Sequence, residues 1–204
     1  MFTSEPAGQP SPGPETKGQR TRRRILDAAR RVFGQVGYDR ATIRAIAAEA
    51  DVDKSSVVKY FGSKESLFAE AVDWRIDIKG LTTTDPATTA RNYLHTILGE
   101  WSAGEDTPMS VLLRASLTSQ QAAELLRRHI TAESTDQIAL SLEGVRTEEA
   151  RLRAALIGAV LFGIATQRHL LRFPDLADAP LDEVVRLAAP LIQALLETGD
   201  GDDV

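Results

Sequence analysis

The sequence of 204 residues contains no cysteine and only three histidines, His95, His129 and His169. The absence of cysteine excludes disulfide bonds, thiolate zinc sites, iron–sulfur clusters and cysteine nucleophiles. It also fits a reducing cytosol better than an oxidising compartment. Because the histidines are far apart along the chain, they do not indicate a metal cluster. We therefore expect no metal and no cofactor.

Long apolar runs are missing as well. The longest, 154–165, is well below the roughly 18 residues that a membrane-spanning helix requires. The first residues lack the apolar segment of a signal peptide. These absences predict a protein of the cytoplasm that has no membrane partner.

The net charge of −5 is unevenly distributed along the chain. Residues 17–68 carry 12 basic and 6 acidic side chains, whereas residues 69–204 carry 12 basic and 21 acidic ones. A small basic region joined to an acidic body is typical of a polyanion-binding domain on a carrier. Chance clustering of charge is the alternative that composition leaves open.

The periodicity of apolar residues predicts an all-α fold of about nine helices, since no segment alternates long enough to indicate a strand. Residues 1–16, rich in proline and glycine, are predicted to be a disordered tail. One helix should run from Ser63 past Trp74, and the last from Pro180 to Leu196 with a kink at Pro190. The residues expected to cap helices are Thr42, Ser63, Asp85, Thr107 and Thr118.

Residues 42–61 have the proportions of a helix-turn-helix motif, with a supporting helix, a tight turn and a second helix over 54–60. Small polar and basic side chains on the second helix suit the DNA major groove, while Val52 and Val57 would pack inward. Flanking helix starts and arginines would contact phosphate. The alternative is a short polar helix whose charges are merely solvated. The predicted DNA-binding residues are Arg22, Thr42, Arg44, Lys54, Ser55, Ser56, Lys59, Tyr60 and Lys64.

Residues 21–72 resemble the N-terminal DNA-binding domain of TetR-type transcriptional regulators. The resemblance runs in order through Ile25-Leu26-Asp27-Ala28-Ala29, Phe33, Gly37-Tyr38, Thr42, Ile46-Ala47, Val52, Tyr60-Phe61 and Ser63-Lys64-Glu65. The segment from Leu112-Leu113-Arg114-Ala115-Ser116-Leu117 through Ala188-Ala189-Pro190 also resembles one C-terminal variety found with such heads, notably in actinobacterial regulators. The resemblance implies a three-helix DNA-binding head over 17–68 and a ligand-binding and dimerisation body over 69–204.

Four residues depart from that family's pattern around the turn: Asp51, Asp53, Lys54 and Ser56. Asp51 stands where glycine is usual, which predicts a turn without a positive φ. Asp53 is expected to cap the recognition helix, 54–60, and Lys54 to change its base preference. The resemblance therefore does not identify an operator.

Small residues spaced four apart on a helix near 148–172 predict a close contact with another helix. Because this helix is apolar on nearly every side, it requires cover from two directions, and a second subunit would supply one of them. A fully buried helix in a monomer is the alternative. The predicted dimer residues are Ala155, Ala159, Gly163, Leu181, Val184, Ala188, Leu191 and Leu195.

Aromatic residues and a few polar ones on the middle helices suit the small-molecule pocket that the family resemblance implies. Gln167 and His169 are the expected polar contacts. Ordinary core packing is the alternative for each residue of this set. The predicted pocket residues are Trp74, Trp101, Met109, Leu113, Phe162, Gln167 and His169.

Together these features predict a homodimeric, sequence-specific regulator that binds a palindromic double-stranded operator, associates with the nucleoid there, and represses until a small apolar ligand releases it. The first alternative is a DNA-binding regulator without a small-molecule ligand, controlled by a protein partner. An enclosed cavity of ligand size would favour the ligand, and a filled core the partner. The remaining alternative is an α-helical enzyme. It is remote, because the sequence lacks Glu-x-x-His pairs, a serine elbow, a P-loop and a dinucleotide fingerprint.

Overall fold

The computed structural model describes residues 15–101, 106–142 and 144–197. Within these ranges the chain contains helices and no strands, as predicted. Nine of the twelve α-helices have at least seven residues, and three shorter ones, α5, α9 and α11, had no clear signal in the sequence. The helices are α1 (Lys17–Arg40), α2 (Ile43–Glu49), α3 (Lys54–Phe61), α4 (Lys64–Ala71), α5 (Ile78–Leu81), α6 (Pro86–Trp101), α7 (Pro108–Ser116), α8 (Gln120–Ile130), α9 (Asp136–Ser141), α10 (Thr147–Ala165), α11 (Pro174–Ala177) and α12 (Leu181–Leu196).

Most of the predicted helix starts are confirmed by side-chain hydrogen bonds. The Thr42 hydroxyl accepts from the Ala45 amide at 3.1 Å, and equivalent bonds are made by Ser63, Asp85 and Thr107. The cap predicted at Thr118 is wrong, because the Thr118 hydroxyl donates backward to Ala115 at the end of α7. Ser119 caps α8 in its place.

The start of α1 overlaps the end of the predicted disordered tail, residues 1–16. Residues 1–14 lie outside the described residues. Thr16 forms a capping box with Gln19, in which each side chain accepts a hydrogen bond from the other residue's amide. Thr16 therefore belongs to the first helix.

The head consists of α1–α4 around an aromatic cluster. The ring of Phe68 lies 4.9 Å from that of Phe33 and 4.7 Å from that of Tyr38, centroid to centroid. Gly37 breaks α1 with a φ of +78°, which a residue with a Cβ would adopt only under strain. The boundary predicted between residues 68 and 69 falls inside α4, and the head core continues through Ala71 and Val72.

Helices of the body also contribute to the head core. The buried cluster that contains the aromatic rings of the head also includes Val111, Leu112 and Ala115 of α7 and Ala122 of α8. A second cluster is formed mainly by α6, α10 and α12, with α6 packed along α12. Two π-helical turns interrupt the body, Thr131–Thr135 between α8 and α9 and Thr166–Leu170 after α10.

The helix predicted through Trp74 is wrong, since α4 ends at Ala71 and residues 73–77 belong to no helix. Along this segment the exposed residues alternate with Trp74, Ile76 and Ile78, which turn inward. In a continuous helix Trp74 and Ile78 would share one face and Ile76 would point away from them, so the non-helical backbone is what lets all three turn inward. At the other end of the chain, Pro190 lies inside α12, and its expected kink stays a prediction.

Candidate nucleic-acid interface and ligand cavity

The predicted recognition helix, α3, has one buried and one exposed side. Val57 is fully buried and Phe61 is nearly so, which fixes the rotation of the helix about its axis. The predicted contact residues occupy the other side. Lys54, Ser55 and Lys59 are exposed, and Ser56 and Tyr60 are half-buried at the edges. A short helix held this way presents small polar and basic groups to a partner without rearrangement.

Helix α2 is the supporting helix of the same motif. The two predicted contacts at its N-terminus, Thr42 and Arg44, are both exposed. The hydroxyl of Thr42 accepts the Ala45 amide bond and keeps its own hydrogen free to donate. Arg44, in the first turn, makes no ion pair among the described residues. A hydroxyl and a guanidinium in the first turn of a helix suit a phosphate oxygen.

Arg22 is already engaged within the head. Its guanidinium forms an ion pair with Glu70 and lies 5.1 Å from the centre of the Phe61 ring. The two charged side chains are 44% and 40% exposed, and pairs of that exposure contribute little to stability. The arginine could therefore exchange this carboxylate for a phosphate, and its DNA contact stays a prediction.

Lys64 is placed differently from the other predicted basic residues. Its ammonium donates to the carbonyl oxygens of Tyr38, Asp39 and Ala41 at 3.0, 3.3 and 3.1 Å. It also lies 4.5 Å from the centre of the Tyr38 ring. An ammonium has three hydrogens, so all of them have partners here. This geometry fastens α4 to the last turn of α1 and to Ala41. The phosphate contact of Lys64 stays a prediction.

The turn between α2 and α3 corrects one expectation. Asp51 adopts a φ of +51°, although its identity predicted a turn without a positive φ. The amides of Asp51 and Val52 bond to Ala48 and Ala47, which is the pattern of a Schellman motif and requires a left-handed residue at this position. Aspartate tolerates that conformation better than most residues. Arg24 adds a 2.9 Å bond to the Asp51 carbonyl.

Asp53 occupies the N-cap position of α3, as predicted, but its carboxylate makes no capping hydrogen bond. The expected contribution of its side chain is therefore wrong, although the position is right.

A small cavity of about 40 Å³ lies in the body. Four of the seven predicted pocket residues line it: Trp74, Trp101, Met109 and Phe162. Sequence reasoning missed the rest of the lining, because only the fold brings their elements together: Ile78, Ile97, Ile130, Ser134, Ile138, Gly158 and Leu161. A larger open cleft of about 770 Å³, whose nine lining residues include four threonines, lies elsewhere in the body.

The other three predicted pocket residues do not line this cavity. Leu113 is part of the body core, and Gln167 and His169 lie on the π-helical turn after α10. The Nε2 atom of His169 is buried without a hydrogen-bond partner, and the ring bonds the backbone of Leu98. Burial, followed by the charge of Arg168, lowers the pKa of His169 below its usual value.

The predicted dimer residues differ in their exposure within the single chain. Ala155, Ala159 and Leu191 are exposed, and Gly163, Leu181 and Leu195 are half-buried. Val184 and Ala188, in contrast, lie in the chain's own core, because α12 is apolar on two sides and periodicity does not say which one faces inward. The exposed apolar face also includes residues that were not predicted: Leu152 and Leu156 of α10 and Leu187 of α12.

Two other kinds of site were sought within the described ranges. No group of three or more histidine, aspartate or glutamate side chains is arranged to hold a metal ion. None of the helices in this part of the chain combines the length and apolar character needed to cross a membrane.

Comparison with known families decides the assignment. The "Tetracyclin repressor-like, C-terminal domain" model matches residues 87–196, and the "Bacterial regulatory proteins, tetR family" model matches residues 25–71. The chain belongs to the tetR family of bacterial regulatory proteins. Its membership makes it a helix-turn-helix transcriptional regulator rather than an enzyme.

Individual relatives of this tetR-family chain match mainly in the head. The HTH-type transcriptional dual regulator CecR of Shigella flexneri is 36% identical over 70 residues, which are 34% of this chain and 31% of CecR. The HTH-type transcriptional repressor Rv1474c of Mycobacterium tuberculosis is 40% identical over 47 residues, 23% of this chain and 25% of that protein. The chain thus matches a third or less of the length of these relatives.

One solved structure is similar over nearly the whole chain. A complex of SmeT with triclosan is 25% identical, with a TM-score of 0.65, and the alignment covers 91% of this chain and 95% of SmeT. The likeness therefore extends through both the head and the body.

Proposed function

We propose that this tetR-family regulator is a homodimer that binds a palindromic double-stranded operator through α3. The observation that carries the proposal is the two-sided character of this helix. Its buried Val57 and Phe61 fix it to the head, and its opposite side presents Lys54, Ser55 and Lys59. A helix of that composition in the major groove can read base edges and contact phosphates.

The exposed apolar face on α10 and α12 supports the homodimer. Leu156, Leu187 and Leu191 are 45%, 61% and 59% exposed in the single chain. Exposed apolar residues gathered on two packed helices are typical of an interaction surface, and a twofold dimer would cover them with the same face of a second copy. Two heads related by that symmetry would contact two half-sites of a palindrome.

Repression and its release by a small apolar ligand are proposed by analogy with relatives. Rv1474c is named a repressor, CecR a dual regulator, and SmeT forms a complex with triclosan. A ligand would release DNA only by binding better to the conformation that cannot span both half-sites. A hundredfold loss of affinity corresponds to about 2.7 kcal/mol of coupling, which is an ordinary allosteric magnitude. The protein would act in the cytoplasm, on the nucleoid.

One observation favours the second candidate, a regulator controlled by a protein partner. A cavity of about 40 Å³ holds a few water molecules, whereas ligand pockets usually exceed roughly 300 Å³. In this conformation the core is therefore nearly filled. The ligand-controlled function requires the cavity to enlarge, and the partner-controlled one does not.

The first experiment is a titration of the protein against labelled duplex from the intergenic region beside its own gene. Fluorescence anisotropy would be followed across a salt series with unrelated DNA as competitor. We expect nanomolar binding that resists the competitor, with two chains bound to each site. Failure to bind any duplex even at low salt would contradict the proposed function.

A further inference from the structure

The cavity in the body has an unusual lining for its size. Three aromatic side chains border it, Trp74, Trp101 and Phe162, and the Trp101 and Phe162 rings meet edge to face at 6.1 Å. The remaining described lining residues are aliphatic or methionine, apart from Gly158 and Ser134. Apart from the indole N–H groups of the two tryptophans, the hydroxyl of Ser134 is thus the one polar side-chain group among them.

This lining discriminates between ligands by charge. No described lining residue carries a carboxylate, an ammonium or a guanidinium. Removing an ion from water into such surroundings is very unfavourable unless an opposite charge meets it. Flat rings, in contrast, pack well on the faces and edges of aromatic side chains. The cavity therefore suits an uncharged aromatic molecule with one hydrogen-bonding group.

The walls of the cavity also indicate where it can widen. Trp74 lies in the non-helical segment 73–77, and Ser134 lies in the π-helical turn Thr131–Thr135, so neither is held in a regular α-helix. A Cβ atom added to Gly158 would meet no atom within 4 Å, which leaves space on the α10 side. Irregular turns of this kind occur frequently at functional sites.

Trp74 further connects the cavity to the head. Its backbone carbonyl accepts a hydrogen bond from Nε2 of His129, and the two rings lie 5.6 Å apart. His129 belongs to α8, and Ala122 of the same helix is buried in the head core. A molecule that displaces Trp74 would therefore disturb a contact of the helix that supports the head.

We infer that this cavity opens to bind an uncharged aromatic effector, with Ser134 as its polar contact. The inference rests on the proposed function and specifies the class of ligand that controls it. It excludes anionic and cationic effectors at this site.

A matched pair of fluorescent probes tests the inference in the full-length protein. N-phenyl-1-naphthylamine is uncharged, and 8-anilino-1-naphthalenesulfonate has the same ring skeleton with a sulfonate. The chain contains two tryptophans, Trp74 and Trp101, and both line the cavity, so energy transfer from tryptophan is sensitive to a probe bound there. We expect saturable binding of the uncharged probe and at least tenfold weaker binding of the sulfonate. Equal or tighter binding of the sulfonate would overturn the inference.

Two glycine variants locate the bound probe. Gly158→Val places a side chain in the cavity and should weaken binding of the uncharged probe at least tenfold. Gly99→Val is the matched control, because Gly99 is also helical, with open space around its Cβ position, but lies exposed on α6. Unchanged probe binding in Gly158→Val, with helicity retained by circular dichroism, would also overturn the inference.

Operator binding measured on the same samples separates this inference from the proposed function. If the protein binds its operator and does not bind the uncharged probe, the inference fails and the proposed DNA binding stands. If the probe binds as expected and no duplex is bound at any salt concentration, the proposed function fails and the cavity assignment stands.

Discussion

The head and the body are both helical, yet their irregular backbone differs in kind. In the head, a positive φ breaks α1 at Gly37 and follows the ends of α2 and α3 at Asp51 and Gly62, and hydrogen bonds fix each of these turns. In the body, positive φ occurs at Gly144 and Arg172, and in addition two π-helical turns interrupt the helices and a non-helical segment, 73–77, borders the cavity. The head thus holds one geometry for its DNA, whereas the body keeps places where its packing can change.

The largest effect is expected from a charge on the exposed face of the body. Ala159→Arg places a guanidinium in the proposed dimer contact, where it would be buried without a partner. We expect monomers at micromolar concentration and, with the two heads uncoupled, an operator affinity lower by about 10²–10⁴. Light scattering and anisotropy would measure the two effects.

Leu140→Arg is the control for that variant, since Leu140 is 83% exposed on α9, outside this face. It should remain dimeric. If Ala159→Arg formed a dimer as stable as the wild-type dimer, α10 would not belong to the interface. The contrast between a fixed head and a body that associates would then fail.

Two lysine variants test how the head holds its geometry. Lys59 is exposed on α3, so Lys59→Ala should remove a phosphate contact and flatten the plot of log K against log salt by about 0.9. Lys64→Ala should instead lower the melting temperature and leave that slope unchanged, because its three hydrogens are used within the head. A flattened slope in Lys64→Ala would return Lys64 to the phosphate contacts that the sequence predicted.

The free energy of unfolding should depend on pH through His169 of the body. Because burial lowers the pKa of His169 below the ordinary value of 6.5, the unfolded chain binds more protons at mildly acidic pH than the native chain does. The stability contributed by neutral His169 is therefore present above pH 6.5 and is lost as the pH falls below it. Thermal melts at pH 7.5 and pH 5.5 would show a fall in melting temperature that His169→Gln reduces.

His95 provides the comparison for this measurement, since it is exposed on α6. His95→Gln should keep the wild-type pH dependence. If His169→Gln also kept the wild-type pH dependence, the buried imidazole would have no role in the acid sensitivity of the body.

The smallest effect is expected at the turn of the head. Asp51→Gly relieves a positive φ without removing the carbonyl that Arg24 binds, and it should stabilise the protein by about 0.5 kcal/mol. Asp53→Gly is the control, because its φ is −69° and its carboxylate makes no capping bond. Denaturant titration would measure both, and a loss of stability in Asp51→Gly would mean that the aspartate side chain itself supports the turn.

Local signals in the sequence predicted the head better than the body. Caps at Thr42 and Ser63 depend on residues a few positions apart, and their hydrogen bonds were predicted correctly. The positive φ of Asp51 was missed, because it follows from how α2 ends and not from the residue's own preference.

In the body, the deciding contacts join distant parts of the chain. Ile78, Ile130 and Ser134 reach the cavity from three separate elements, and no periodicity connects them with Trp101. The non-helical course around Trp74 did leave a signal, a short alternation of apolar and charged residues, which was too short to be distinguished from a helix end.

The shared core of the head has a consequence for how such proteins can evolve. The two matched family regions, 25–71 and 87–196, are separate in the sequence, as if a head could be exchanged by recombination near residue 72. Yet Val111, Leu112 and Ala115 of α7 complete the head core. A transplanted head would meet a foreign α7 surface, so new pairings of heads and bodies require matching substitutions on that helix.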